Sequence, residues 1–222
     1  MKDKFKIVVD FEFNPVKDPE IKPFIHNEII EIGAVKLDSC NNIVDKFKEY
    51  IRPEKNEILP KITRITGISD DTVKDCGCFE EVIGSFYEWA GENSRFYSWS
   101  STDSRVLIDE LIFKLGEDTE MLDVFGGHWV DLQRIYQRVM GFHKNMGLSN
   151  ALGTLMICFK GKEHGALADA LNTAEVMKVL YDKEKINHIK HNSSVTYNGN
   201  THSNGGFTMG NLFAEQFAKL GK

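Results

Sequence analysis

The chain has no apolar run approaching the roughly 18 residues that a membrane span requires. Its beginning, MKDKFKIVVDFEF, lacks the uninterrupted apolar stretch of a secretory leader, because acidic residues break it up. Cysteine is scarce: Cys40, Cys76, Cys78 and Cys158 are the four in 222 residues, and their spacing matches no zinc-binding pattern. A domain of this length does not need disulfides, so four free thiols in a reducing cytoplasm are expected, with Cys76-Gly77-Cys78 reading as two thiols in a loop. Positive charge is also short, 27 Lys and Arg against 33 Asp and Glu, a net of −6. That balance excludes a broad basic surface for nucleic acid, but it leaves room for a local site whose positive charge comes from metal ions. No internal repeat is visible.

What is present is ordinary for a soluble globular protein, 41% hydrophobic and 27% charged, and the length suits one α/β domain with a short appendage. Residues 6–13, 29–37 and 43–51 are apolar and rich in β-branched side chains, and DSCNN (38–42) separates the last two as a turn does. FEEVIGSFYEWAG (79–91) has helical apolar spacing, RFYSWS (95–100) reads as a strand and DSRVLIDELIFKLG (103–116) as a helix ending at glycine. WVDL (129–132) reads as a short strand running into the helix QRIYQRVMG. LSNALGTLMICF (148–159) opens on Ser149 as an N-cap, and 166–185 reads as one long helix. Strands first, then strands alternating with helices, predict a mixed sheet flanked by helices. Near residue 186 the composition turns to Asn, Ser, Gly and His. A domain over 1–185, a flexible polar linker over 186–206 and a short amphipathic segment over 207–222 are expected, with Leu212, Phe213, Phe217 and Leu220 on one helical face.

The opening strand poses a chemical problem. Side chains alternate along a strand, so Asp10 and Glu12 share a face with Val8, about 6–7 Å apart, while Ile7, Val9, Phe11 and Phe13 take the other. Two carboxylates on a buried face repel each other and lose hydration. No Lys or Arg lies nearby in sequence to compensate them, whereas a hard divalent cation such as Mg²⁺ or Mn²⁺ would. A strand end with two solvated acids is the plainer alternative. Asp103 stands where a strand gives way to a helix, and alone it reads as an N-cap. His164 just precedes a helix and Asp169 lies in its first turns, off the apolar stripe. Gly165, Ala166, Ala168 and Ala170 allow that helix to approach other backbone closely.

Taken together, Asp10-x-Glu12, then Asp103, then His164 followed five residues later by Asp169 resemble the DEDDh family of 3′→5′ exonucleases, the DnaQ-like group with an RNase H-like fold. The resemblance runs over roughly residues 5–182. EIIEIGAVKLD (28–38), ITGI (65–68), WVDLQ (129–133), LSNAL (148–152) and DALNTA (169–174) agree with it. DFEF and ITGI look most like KapD-type and histone-mRNA-type 3′ exonucleases. A sister class has tyrosine four residues before its last Asp, where this chain has Gly165. SWSSTD, around the second acidic motif, departs from the family in being free of glycine.

The resemblance implies a five-stranded mixed sheet and two divalent metal ions, Mg²⁺ or Mn²⁺, held by Asp10, Glu12, Asp103 and Asp169. It implies His164 as general base, and Phe11, Thr66 and Gly67 at the terminal nucleotide with Phe13 and Ile68 as apolar walls. The expected substrate is the 3′ end of single-stranded nucleic acid, with RNA favoured. A DNA proofreading or repair exonuclease working with a polymerase, and a non-catalytic adaptor on the same fold, are the other readings. Residues 207–220 are expected to dock on a protein partner or on the domain itself, with no role for a membrane.

Overall fold

The computed structural model describes residues 5–127 and 129–197. The chain opens with a meander of three antiparallel strands, β1 (Phe5–Pro15), β2 (Asn27–Leu37) and β3 (Ile43–Tyr50). Helices α1 (Pro60–Thr66), α2 (Asp70–Val73) and α3 (Phe79–Ala90) lead to β4 (Ser94–Ser98), which pairs in parallel with β1. Then come α4 (Thr102–Leu115), α5 (Met121–Phe125) and β5 (Trp129–Asp131), the last parallel to β4. The chain continues through α6 (Leu132–Met140), α7 (Leu148–Thr154), α8 (Ala166–Leu180) and α9 (Lys183–Tyr197). Among the described residues the sheet has five strands in the order β3-β2-β1-β4-β5, the mixed sheet flanked by helices that the sequence predicts. No helix among them is long and apolar enough to cross a membrane.

The alternation along β1 divides the interior in two. Ile7, Val9 and Phe11 join one core with Phe86 of α3, Leu107 of α4 and Phe125 of α5. Val8 joins the other, with Tyr136 of α6, Leu152 of α7 and Met177 of α8. Asp10 and Glu12 continue the Val8 face, under α8. A third, smaller cluster of Ile30, Ile58, Ile68 and Val73 seats α1 and α2 beside the sheet.

Two contacts fix the elements that carry the acids. The first is at Gly33, opposite Asp10 in the β1–β2 register. A Cβ built there would lie 2.0 Å from both the Ala166 carbonyl carbon and the Leu167 nitrogen, so only glycine lets the start of α8 rest directly on the sheet. The second anchors α4. Lys114, near its end, lies 2.9 Å from Glu110 Oε1 and 3.2 Å from Glu28 Oε1, with Glu54 at 3.8 Å. The Ile29 N–H donates to Glu110 Oε2 at 2.8 Å, tying α4 to the start of β2.

Three expectations need correction. The helix expected over 166–185 breaks after Leu180, because Asp182 accepts the Lys185 N–H and starts α9 afresh. Helix α9 then runs to Tyr197 with Ile186 and Ile189 buried in the second core, so the linker expected from 186 is helical over its first part. Isolated isoleucines in a polar run carry too weak a periodicity to show this. Ser149 does not cap α7: the cap is Gly147, the helix ends at Thr154, and Ser149 Oγ donates to Glu163 Oε1 at 2.7 Å. The segment 207–222 lies outside the described residues.

Candidate active site

Strand β1 outruns its parallel neighbour. Its pairing with β4 stops at Val8 opposite Tyr97, and β4 then turns into α4. Beyond that point the outer N–H of Phe11 has no strand to bond. Asp103 takes it, Oδ1 accepting at 3.2 Å. Asp103 is therefore not the N-cap of α4, a place held by Ser101, but a buried acid in its first turn that bridges helix to strand. This is the carboxyl end of the parallel strands, where open α/β sheets usually place their sites.

Asp169 arrives from the other face. It lies in the first turn of α8, where its Oδ2 accepts the His164 N–H at 3.2 Å. His164 has φ +61°, a left-handed conformation that costs a non-glycine residue on the order of 1 kcal/mol. That turn folds the histidine back over the helix start. One donor atom each from Glu12, His164 and Asp169 lie within 4.8 Å of one another. Asp10 is half-buried between Glu12, Asp103 and Asp169, whose charges all act on it.

The electrostatics are those of crowded anions. Burial, then the charges of Asp103 and Asp169, hold the Asp10 carboxyl well above the usual carboxylate range. Burial and the negative neighbours Asp169, Glu31 and Asp103 push Glu12 up to about 8, against a small opposing pull from the Lys162 ammonium. Asp103 is raised to about 7, mainly by burial and despite the Phe11 N–H. Asp169 is raised to about 6 by burial, partly countered by the His164 N–H and ring. The set is oxygen-rich and under-compensated, the donor chemistry that suits a hard divalent cation.

The sequence reading overlooked Glu31. It lies directly opposite Glu12 in the register, is 2% exposed, and adds its charge to Asp10, Glu12 and Asp169. Its Oε2 accepts the Ala166 N–H at 3.2 Å and its Oε1 pairs with Lys48 at 3.3 Å. The signal was available: an acid at an even step of the apolar strand NEIIEIGAVKL faces the same side as Gly33.

The residues expected at the nucleotide divide into two groups. The Phe11 ring is core, 6.5 Å from both Phe86 and Trp129, so only its backbone reaches the site. Phe13 is partly buried against the same cluster. Thr66 ends α1, its Oγ1 accepting the Ile68 N–H at 3.0 Å, and Gly67 caps the helix at φ +82°. Ile68 is almost wholly buried among its apolar neighbours.

Comparison with known proteins agrees with this arrangement. The family model described as Exonuclease (RNase_T) matches residues 7–177. ERI1 exoribonuclease 2 of Danio rerio is 30% identical over 194 residues, 77% of this chain and 34% of that protein. The probable 3′-5′ exonuclease KapD of Bacillus subtilis (strain 168) is 29% identical over 180 residues, 78% of this chain and 83% of that protein. The solved nuclease domain of 3′hExo, a DEDDh family member bound to rAMP, aligns with a TM-score of 0.67 at 24% identity, covering 81% of this chain and 93% of that one, a likeness of fold. The chain spans about a third of the length of the ERI1 exoribonuclease 2 relatives it matches, 31% in Xenopus laevis and 34% in Danio rerio. The resemblance drawn from the motifs is borne out at the level of family and fold.

Proposed function

The chain belongs to the exonuclease family, and from that premise we propose that it hydrolyses single-stranded nucleic acid from the 3′ end, releasing nucleoside 5′-monophosphates, with RNA favoured. The observation that carries the reading is the convergence of Asp10, Glu12, Asp103 and Asp169, from three distant segments, at one end of the parallel strands beside His164. The preference for RNA rests on the relatives' names, an exoribonuclease and a nuclease domain bound to rAMP.

The four acids would hold two divalent cations, Mg²⁺ or Mn²⁺. When bound, such ions polarise the phosphodiester and neutralise the charge that develops on it. The chain's own residues do the rest. Asp103, locked to the Phe11 N–H, sets the distance between α4 and β1. The His164 N–H holds the Asp169 carboxylate in one orientation. The backbone of Phe11, Thr66 and Gly67 borders the place of the terminal nucleotide, flanked by Phe13 and Ile68. The exposed His164 ring takes the proton of the attacking water at a ring nitrogen.

A specific observation favours a second role for His164: its ring nitrogen lies close enough to Glu12 and Asp169 to act as a ligand itself. His164→Ala separates the two. As a base, its loss slows cleavage roughly 10²–10⁴-fold while Mn²⁺ affinity stays that of the parent. As a ligand, its loss weakens Mn²⁺ binding as Asp169→Asn does. The parent reaction is tested on labelled RNA and DNA of matched sequence with Mg²⁺ or Mn²⁺. The expected products are 5′-monophosphates released stepwise from the 3′ end, and activity that survives exhaustive chelation refutes the metal-dependent reading.

A further inference from the structure

Helix α8 carries Asp169 in its first turn, yet its own start has no local cap. The position before it is Gly165, which has no side chain to take an amide. The first helical amide, that of Ala166, is one of the donors that a helix leaves without a partner inside itself. Solvent does not reach it, because Ala166 is fully buried and rests on Gly33.

Its acceptor comes from across the domain. Glu31 Oε2 takes the Ala166 N–H at 3.2 Å. Glu31 and Gly33 stand two residues apart on one face of β2, so the strand that leaves room for α8 also supplies the acceptor. Glu31 Oε1 pairs with Lys48 at 3.3 Å, and Lys48 lies opposite Gly33 on β3, where it also donates to the Tyr50 hydroxyl at 3.3 Å. Both oxygens of Glu31 are therefore engaged, and its charge has a cation of its own. A fifth acid still adds repulsion to a crowded set, so its presence calls for a task that the other four do not perform.

We propose that Glu31 is a positioning residue for the nuclease site. It holds no metal and touches no substrate. By taking the Ala166 N–H it keeps the first turn of α8 down on Gly33, and with that turn Asp169 and the His164 amide bonded to it. Without the acceptor this amide is left buried and unpaired, and it reaches water only if the turn lifts off the sheet. Lifting the turn moves Asp169 away from Asp10 and Glu12. The role rests on the nuclease reading for its reaction, and on the contact between strand and helix for its mechanism.

The test compares two double variants of the full chain. Glu31→Gln/Lys48→Met removes both charges of the pair and keeps an acceptor. Glu31→Met/Lys48→Met removes the same charges and keeps the length of the side chain, but offers no comparable acceptor. Thermal melts fix a working temperature at which both are folded. In EDTA, hydrogen exchange of the Ala166 amide should be about 10–100-fold faster in the methionine pair than in the glutamine pair. Mn²⁺ affinity, and kcat on a labelled oligouridylate at saturating Mn²⁺, should fall about 10–100-fold in the methionine pair, with little change in KM. The glutamine pair should stay near the parent in both. A methionine pair that melts lower but matches the glutamine pair in exchange, Mn²⁺ affinity and kcat gives Glu31 a part in stability alone and overturns the proposal. A glutamine pair that loses Mn²⁺ as Asp169→Asn does makes Glu31 a ligand and overturns it too, whether or not the methionine pair folds. If the pairs differ as expected in exchange and Mn²⁺ affinity while the parent cleaves neither RNA nor DNA, the nuclease reading falls and the positioning of Asp169 by Glu31 stands.

Discussion

Raising the pH of the metal-free protein should destabilise it. The unfolded chain releases the protons of its acids near pH 4, whereas the folded chain keeps Asp169, Asp103 and Glu12 protonated up to about 6, 7 and 8. The folded state thus binds more protons across this window, so stability is full below about pH 4 and is lost as pH climbs through the folded values. For Glu12 alone, a move from 4.5 to about 8 corresponds to a loss on the order of 4–5 kcal/mol by pH 8. The mutual repulsions enter each acid's value, so the site's total is not the sum of its members. Against a typical domain stability of about 5–15 kcal/mol, one such group brings the metal-free fold near its limit. The assay is urea denaturation at about pH 5, 6.5 and 8, in EDTA and with Mn²⁺. In EDTA the unfolding free energy should fall by several kcal/mol across the series, and with Mn²⁺ the fall should flatten or reverse, because a cation bound only to the folded state adds RT ln(1 + [L]/Kd). Glu110, also raised to about 7 by burial, contributes with the same sign, so the informative comparison is the parent with Glu12→Gln, which removes the Glu12 share and its repulsion of Asp10 while leaving Glu110 as it is. Metal-free stability that stays level or rises with pH, or a Glu12→Gln slope equal to the parent's, refutes the reasoning.

Other outcomes follow from single contacts. Gly33→Ala places a Cβ on the backbone of α8 and should cost about 1–3 kcal/mol or more in thermal melts, with a larger loss of nuclease activity as Asp169 is displaced. Asp10→Asn should abolish cleavage while melting at or above the parent's temperature at pH 8 in EDTA, since it removes repulsion among buried anions. Lys114→Met leaves Glu28, Glu110 and Glu54 without their shared cation and should lower the unfolding free energy by about 3–5 kcal/mol at pH 8, less at pH 5, where Glu110 is protonated. Deleting residues 198–222 and comparing mass in solution and melting temperature tests whether the C-terminal segment docks on anything. No change in either would leave it without a docking role on this chain.

The parts of this architecture legible in the sequence were those written in local periodicity or in a motif. Alternation in IVVDFEFN placed Asp10 and Glu12 on one face, and the structure keeps them there. What escaped was set by distant partners. Asp103 was placed at the site by the motif, but its bond to β1 was not, because nothing local shows that β1 outlasts β4 and offers the Phe11 N–H. The alternation of NEIIEIGAVKL gives the face of Glu31, but its opposition to Glu12 is a matter of register. The importance of Gly33 depends on a helix that begins far along the chain. The start of α9 was hidden by a polar composition in which Ile186 and Ile189 stand isolated.

The seat of α8 on Gly33 also sets when the acids can come together. The Ala166 N–H finds Glu31, its acceptor, 135 positions back along the chain, and Phe11 finds Asp103 92 positions ahead. Asp10 and Glu12 are made on the order of 10–30 s before the helix that completes their surroundings, at usual synthesis rates. Throughout that interval the first strand has its acids and no site. Asp10 and Asp169 can meet only when both segments have been made, so a chain cut short before residue 169 lacks the last acid of the cluster.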